Sequence, residues 1–471
     1  MGLLQPHAGH GTRVRQRALI GLPLRTFRSG RQESSGCGCA QADDLVIVTA
    51  RPSEGILEPF VGPTPNRGGA QPGGEASMRT AVARTAGGVF LAPLMLAAVG
   101  AFAAEAPPSS TVLPLNPVAL SVPLAPQPFA AGDGRTHLTW EVQALNLTRA
   151  SLQVQSISVW AADGSRELLQ HTGDAIPGRL TALGDWTQGV SAIGPSAGAT
   201  VWLDLALDAG ESVPAALETR ISVVGEGVAA SDAVTRVVTP VDMRPARIIR
   251  PPLAGDLWGV LEACCDASNH HRRGQRSVDG HFVLPERYAI DFVQLDRDGE
   301  LYTGSNINEN YYGFGQPVFA VANATVVDVY DALEDVPPGA ALPPPSLPQA
   351  GGNHVVLDLG DGVWAMYGHL KAGSIGVQVG QHVRAGDVLA QLGNNGNSDL
   401  AHLHFQLMDS RNFALAQGLP FVFDHYVLVG RMDIQADRID YAARPGRMRN
   451  RLPLTLSVVD FPLLRQASGD D

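Results

Sequence analysis

Lysine is almost missing from these 471 residues: Lys371 stands alone among 34 basic side chains, and the rest are arginine. We read that bias as a GC-rich coding preference and not as a function. Cysteine is nearly as scarce. Cys37 and Cys39 lie near the start and Cys264 and Cys265 are adjacent, which excludes a disulfide framework and a zinc ribbon. A bond between neighbouring residues is strained, so Cys264 and Cys265 read as two unlinked thiols. Positive charge is also wanting. A formal net charge of −12 excludes the basic face that a nucleic-acid partner needs. What is present, 45% hydrophobic and 17% charged residues, describes a chain that folds. Its length suggests two or three domains, and 52 glycines with 34 prolines suit short strands joined by turns.

An export signal is legible inside the chain, over residues 78–103. Arg79 and Arg84 follow Met78, Gly87 to Gly100 is an apolar core, and Ala101-Phe102-Ala103 offers a small-x-small cleavage site before Ala104. The core is short for a membrane span, and no cysteine follows it to carry a lipid anchor. The expectation is a periplasmic or extracellular protein with no integral membrane segment once the signal is removed. Residues 1–77, rich in Arg, Gly and Pro, then read as over-read upstream sequence or a disordered leader, with Met78 as the natural initiator.

Two β-rich regions follow. Over 108–245 the alternation is that of strands. In THLTWEVQA, Leu138, Trp140, Val142 and Ala144 share one face, and in VWLDLALD, Val201, Leu203, Leu205 and Leu207 do. LQVQSISVW alternates with one phase slip, as a bulge gives, and Asp163-Gly164 supplies a turn. This predicts an immunoglobulin-like β-sandwich, without a catalytic cluster, acting as a spacer or binding module. The second region, 255–430, has denser glycines and nine of the thirteen histidines. Its Pro-rich stretch 336–348 predicts a surface loop. The tail, 431–471, reads as one more strand and a loose end.

In the stretch AHLHFQ (401–406), His402 and His404 are two apart, so on a strand they project side by side while Leu403 and Phe405 face the other way. GNHVVLDLGDGVWAMYGHL reads as two strands about Gly360-Asp361-Gly362, ending at His369. In ERYAIDFVQLD, Arg287, Ala289 and Asp291 share a face. Tyr311 and Tyr312 read as loop packing or as cleft lining, His354 as an ordinary strand residue, and Asn394, Asn395 and Asn397 as a turn.

Across residues 285–425 the segments YAIDF (288–292), GQPVFAVANATVVDV (315–329), YGHL (367–370), VGQHVRAGDVLAQLGNNGNS (379–398) and HLHF (402–405) resemble the lysostaphin-like (LytM-type) zinc endopeptidases of bacterial cell walls. The resemblance implies an antiparallel β-roll (a duplicated hybrid motif) in an all-β chain, with one zinc ion and peptidoglycan peptides as substrate. It casts Asp291 and His404 as metal ligands, and His369 and His402 as the pair that activates water and stabilises the transition state. The family's remaining ligand is a histidine four residues before the aspartate. Here that place holds Arg287, whose guanidinium has no lone pair to give.

Two repairs are open. His270, His271 or His281, in SNHHRRGQRSVDGHF (268–282), supplies the missing nitrogen; His271 is favoured because an HR pair precedes the RYAID-type strand in divergent family members. Alternatively the Arg287 guanidinium takes the metal's place and pairs with Asp291, leaving a catalytically inactive, metal-free module that binds or regulates cell-wall enzymes. A further reading gives the main function to the sandwich, gripping a partner protein. The oligomeric state is not written in the sequence.

Overall fold

Period-two alternation runs through most of the chain, and the result is a nearly all-β molecule. The computed structural model describes residues 115–340, 347–436 and 438–462. The leader, the signal segment, Cys37, Cys39, part of the Pro-rich stretch (341–346) and the last residues (463–471) lie outside the described residues. Among the described residues no helix is long and apolar enough to cross a membrane.

The first half is a two-sheet sandwich. Leu138, Trp140, Val142 and Ala144 of Thr136–Asn146 enter one core with Val201, Leu203, Leu205 and Leu207 of Gly198–Leu207, as the alternation predicts. The two strands pair antiparallel, Trp140 opposite Leu203 and Glu141 opposite Trp202. Their sheet packs on a second one built around Leu152–Ala161 and Ala216–Val224. The phase slip in LQVQSISVW is a bulge, where the register against Ser222 and Val223 shifts. Gly164, at φ +74°, turns the chain after Leu152–Ala161.

The second half is built on a sheet of eleven strands among the described residues. Leu403–Met408 lies between Trp364–Gly368 and Ile290–Gln294, and the last of these pairs onward with Gly255–Val260. Leu403, Phe405 and Leu407 enter the main core, while His404, Gln406 and Met408 occupy the opposite face. Both faces are covered, so every residue of this strand is buried.

Two expectations are corrected here. The tail is no loose end: Tyr426–Asp433, Arg438–Met448 and Ser457–Phe461 all join the main sheet, and Ser457–Phe461 lies between Gly255–Val260 and Tyr426–Asp433. Val458, Val459 and Phe461 are buried there, which is what the run SVVDF can do once it has a neighbour on each side. Cys264 and Cys265 are not unlinked thiols but are joined to each other, in the turn that follows Gly255–Val260.

The two halves share an interface. The second face of the sandwich strands carries His137, Thr139, Glu141 and Trp202, all buried, because residues 265–288 lie across it. Trp202 packs on Ala267 and Leu284, Thr139 Oγ1 donates to the Tyr288 hydroxyl at 2.9 Å, and Phe129 meets the Tyr288 ring edge-on at 5.6 Å.

Candidate metal centre

Sheet register assembles the site. Asp291 stands directly opposite His404 across one strand pair, and Gly368 stands opposite His404 across the other. A directly opposed pair brings its side chains into contact. His369 follows Gly368 with φ +58°, a left-handed conformation that a non-glycine residue adopts only when its surroundings impose it. Here its N–H donates to Gly351 O and its carbonyl accepts from Gly393 N, both at 3.0 Å. The neighbouring Gly352, at φ +65°, has to be glycine: a Cβ there would lie 2.5 Å from Asn395 Oδ1 and 3.0 Å from His369 Nδ1.

Each histidine on this face has a fixed orientation. Gln406 Nε2 donates to the Pro285 carbonyl at 2.9 Å, so Gln406 Oε1 is the atom that faces His404 Nε2, also at 2.9 Å. That oxygen only accepts, so His404 Nε2 carries a hydrogen and Nδ1 is left to face Asp291, as a donor when the ring is protonated and as a ligand atom when it is neutral. His404 Nδ1 lies 3.0 Å from Asp291 Oδ1. His402 Nδ1 donates to Leu400 O at 2.9 Å, close to Ser398 Oγ at 3.2 Å, which leaves its Nε2 bare, 3.6 Å from Asp291 Oδ1. His369 Nδ1 donates to Asn395 O at 2.7 Å, again leaving Nε2 bare. The His369 ring is 4.6 Å from that of His402 and 5.8 Å from that of His404.

His271 completes the cluster. Its Nε2 is 3.3 Å from Asp291 Oδ2, and its ring meets that of His404 edge-on at 4.9 Å. It sits on the single helical turn His270–Arg273, which follows the strand neighbouring Asp291 and folds back over the site. His270 is close enough to His271 and Asp291 to form a compact donor group with them. However, it is exposed and turns Nδ1 toward Glu262 at 3.6 Å. His404 lies outside that compact group but is buried and oriented, with Nδ1 3.0 Å from Asp291 Oδ1. His281 stays on the exposed side of the hairpin Arg276–Val278/His281–Val283, outside the cluster.

Arg287 does not take the metal's place, which corrects the second repair. Its guanidinium turns away from Asp291 and pairs with Glu141 of the sandwich, both side chains being 2% or less exposed. Tyr311 is packed in its loop against Tyr302, ring to ring at 5.0 Å, with its hydroxyl on Asn306. His354 stacks on Tyr330. The asparagines do more than turn the chain. Asn394 and Asn395 are fully buried, Asn395 O orients His369, and Asn395 Nδ2 ties the loop to Asp335 at 2.9 Å. Gln406 was also missed, although its position two residues beyond His404 places it on the same strand face.

The charges on these groups follow from their packing. Burial alone would raise the Asp291 carboxyl, but His271 and His402 beside it, with hydrogen bonds from His271 and His404, hold it well below the ordinary carboxylate range. Burial disfavours charge on His404 too, yet the hydrogen bond to Asp291 and its negative charge push it up to about 9. His369 is held well below its usual value by burial first, and by the cost of a second positive charge beside His402 or His404. His402 is lowered chiefly by burial. The donors suit zinc in kind: two imidazoles and a carboxylate. Bonds of roughly 2.0–2.1 Å in a tetrahedron set neighbouring donors about 3.3–3.4 Å apart, and Asp291 lies 3.0 Å from His404 Nδ1 and 3.3 Å from His271 Nε2. The two imidazoles flank different carboxylate oxygens, so a shared ion would draw them together. His271 Nδ1, buried with no hydrogen-bonding partner among the described residues, belongs to a ring not yet committed to another role.

Comparison with known proteins agrees with the geometry. The model of peptidase family M23 matches residues 303–414, a span that holds His369, His402 and His404 but begins after Asp291. Endolysin 2638A of Staphylococcus phage 2638A is 32% identical over 136 residues, and the match covers 25% of this chain and 28% of the endolysin, so the chain spans little more than a quarter of that relative. Among solved structures, the catalytic domain of the antimicrobial peptidase lysostaphin from Staphylococcus simulans is 23% identical, covering 34% of this chain and 84% of that one at a TM-score of 0.20. A second lysostaphin structure is 28% identical, covering 28% of this chain and 41% of that one at a TM-score of 0.18. The segment that matches the model of peptidase family M23 holds the YGHL and HLHF segments, and sheet register sets its His404 against Asp291 just outside the match.

Proposed function

We propose that this chain is an exported zinc metalloendopeptidase that hydrolyses peptide bonds of peptidoglycan stem peptides or cross-bridges. One observation carries the reading. His404 Nδ1 and His402 Nε2, bare in their neutral tautomers, face the same oxygen of Asp291 at 3.0 and 3.6 Å. Acceptors facing one another in a buried site need a cation or a proton between them. Asp291, His404 and His271 would hold the ion, in place of a set that includes residue 287. A zinc ion bound there supplies Lewis acidity, polarising the scissile carbonyl and acidifying the attacking water.

The remaining chemistry belongs to this chain's own side chains. His369 and His402 are kept neutral by burial, each with Nδ1–H tied to a carbonyl and Nε2 free. A free Nε2 can take the proton as water oxygen bonds to the scissile carbonyl carbon. The imidazolium so formed donates to the developing oxyanion and returns the proton to the amine nitrogen as the C–N bond breaks. The carbonyls of Asn395 and Leu400 hold the Nδ1–H of the two rings, so Nε2 is the nitrogen that takes up and releases the proton.

One observation favours a second reading from another class. A protonated His404, its Nδ1 3.0 Å from Asp291 Oδ1, satisfies that oxygen by itself, as expected of an inactive binding or regulatory module. Metal analysis separates the two. The peptidase reading expects near-stoichiometric zinc in the purified chain, lost in His404→Ala, and new amine termini when the loaded protein is incubated with peptidoglycan. A folded protein that takes up no zinc would end it. Export is tested by sequencing the N-terminus of the native protein, with Ala104 expected first.

A further inference from the structure

This inference rests on the reading of His271 as a metal ligand and asks what holds that ligand in place. His369, His402 and His404 each have one ring nitrogen engaged, by Asn395 O, Leu400 O and Gln406 Oε1 respectively. Such a hydrogen bond is the usual device for aiming a ligating imidazole. His271 has none, since its Nδ1 is buried without a hydrogen-bonding partner among the described residues. Its aim therefore comes from its backbone, and that backbone is one helical turn of four residues, His270–Arg273, far too short to be stable alone.

Two clamps hold this turn. At its start the Asn269 side chain accepts from His271 N at 2.8 Å and donates to Ala263 O at 2.7 Å, a capping arrangement. The stronger clamp is the next residue. Arg272 is 2% exposed, and each N–H of its guanidinium has an acceptor. Nε donates to Glu141 Oε1 at 3.2 Å, Nη1 to Asp204 and to Cys265 O at 3.3 Å, and Nη2 to Trp140 O at 3.2 Å and Leu203 O at 2.7 Å. Four of the five acceptors belong to the sandwich strands Thr136–Asn146 and Gly198–Leu207. Arg272 and His271 are consecutive, so one side chain is anchored in the sandwich while its neighbour reaches Asp291 in the roll.

We propose that the sandwich is a structural part of the metal centre: by gripping Arg272 through Glu141, Asp204 and the carbonyls of Trp140 and Leu203, it holds His271 against Asp291. Arg272, Glu141 and Asp204 are then positioning residues, and the sandwich does more than space or tether the peptidase half. The histidine that stands in for one at position 287 is then delivered from a turn that the sandwich holds from one side and the Asn269 cap from the other.

The test is a zinc-affinity cycle on the full chain, measured by competition with a chromogenic chelator. Far-UV circular dichroism of each metal-free variant serves as the folding control. Arg272→Lys keeps the charge beside Glu141 and Asp204 but loses the fork that binds the carbonyls. It should weaken zinc binding by about tenfold or more, the usual cost of removing a residue that aims a ligand. His271→Ala should weaken it as well, and the double variant should bind no more weakly than His271→Ala alone, because Arg272 acts through His271. If Arg272→Lys does not fold, Asp204→Asn, which keeps the shape of the acceptor, enters the same cycle with the same expectation. Unchanged affinity in a folded Arg272→Lys beside a weakened His271→Ala would overturn the positioning role while leaving the ligand reading intact. Losses that simply add would overturn it too. Unchanged affinity in His271→Ala would remove the ligand reading, and this inference with it.

Discussion

Restoring a histidine at position 287 separates a lost ligand from a residue with a different job. If Arg287 were only a decayed ligand, Arg287→His would return the family's pattern and strengthen zinc binding. The structure points the other way. Arg287 and Glu141 are 2% and 1% exposed and paired through Glu141 Oε2, while the other oxygen, Oε1, accepts from Arg272 at 3.2 Å. Removing one partner of a buried ion pair costs roughly 3–5 kcal/mol, because the other charge is left without compensation. Arg272 still neutralises part of Glu141, which places the loss near the lower end, at about 3 kcal/mol. At roughly 1–2 °C per kcal/mol for a compact unit of this size, melting should fall by about 3–6 °C. The assay is thermal unfolding of the metal-free variant against the parent chain, with a zinc competition titration in parallel. A melting temperature within a degree or two of the parent, or a clear gain in zinc affinity, would refute the reasoning.

Other outcomes follow from the same geometry. Gln406→Met removes the acceptor that fixes the His404 tautomer while keeping the volume, and should lower zinc affinity about 10–100-fold with little change in far-UV circular dichroism. In the metal-free chain His404 titrates near 9, above its unfolded value of about 6.5. The Asp291–His404 contribution to stability is therefore complete below about pH 6.5 and lost as pH rises through about 9. Zinc competes with that proton, so zinc affinity should rise between pH 6.5 and 9 in calorimetric titrations, and a flat profile would count against His404 as a ligand. Ser398→Ala removes a hydroxyl 3.2 Å from His402 Nδ1 but leaves the Leu400 carbonyl, and peptide hydrolysis should fall less than tenfold with zinc content unchanged.

How much of this was written in the sequence depends on the distance over which a residue acts. The face occupied by His404, the turn at Gly164 and the cores of the two halves follow from neighbours one to four positions away, and period-two alternation expressed them. The convergence of Asp291, His369, His402 and His404 depends on strand pairing between distant segments, Asp291 and His404 being 113 positions apart. No local pattern carries that, and only the resemblance to a known motif made it legible. Backbone groups were silent altogether: the Asn395 and Leu400 carbonyls set two histidine tautomers, yet any residue type could have supplied them. The tail was misjudged because SVVDF reads as an isolated strand until its partners are known.

Position 287 shows why a substituted ligand is hard to interpret without the fold. The sequence presents Arg287 as a vacancy in a metal set, to be refilled by some histidine or by the guanidinium itself. Its true partner, Glu141, lies 146 positions upstream in a strand whose polar side gave no sign of being covered. A buried carboxylate requires a cation, and Glu141 takes two, Arg287 from the peptidase strand and Arg272 from the turn that carries His271. The arginine that cannot bind zinc and the histidine proposed in its place are thus tied to one glutamate. A histidine at 287 would remove one of the two cations that compensate Glu141, so the proposed ligand at His271 and the docking of the sandwich meet at one carboxylate.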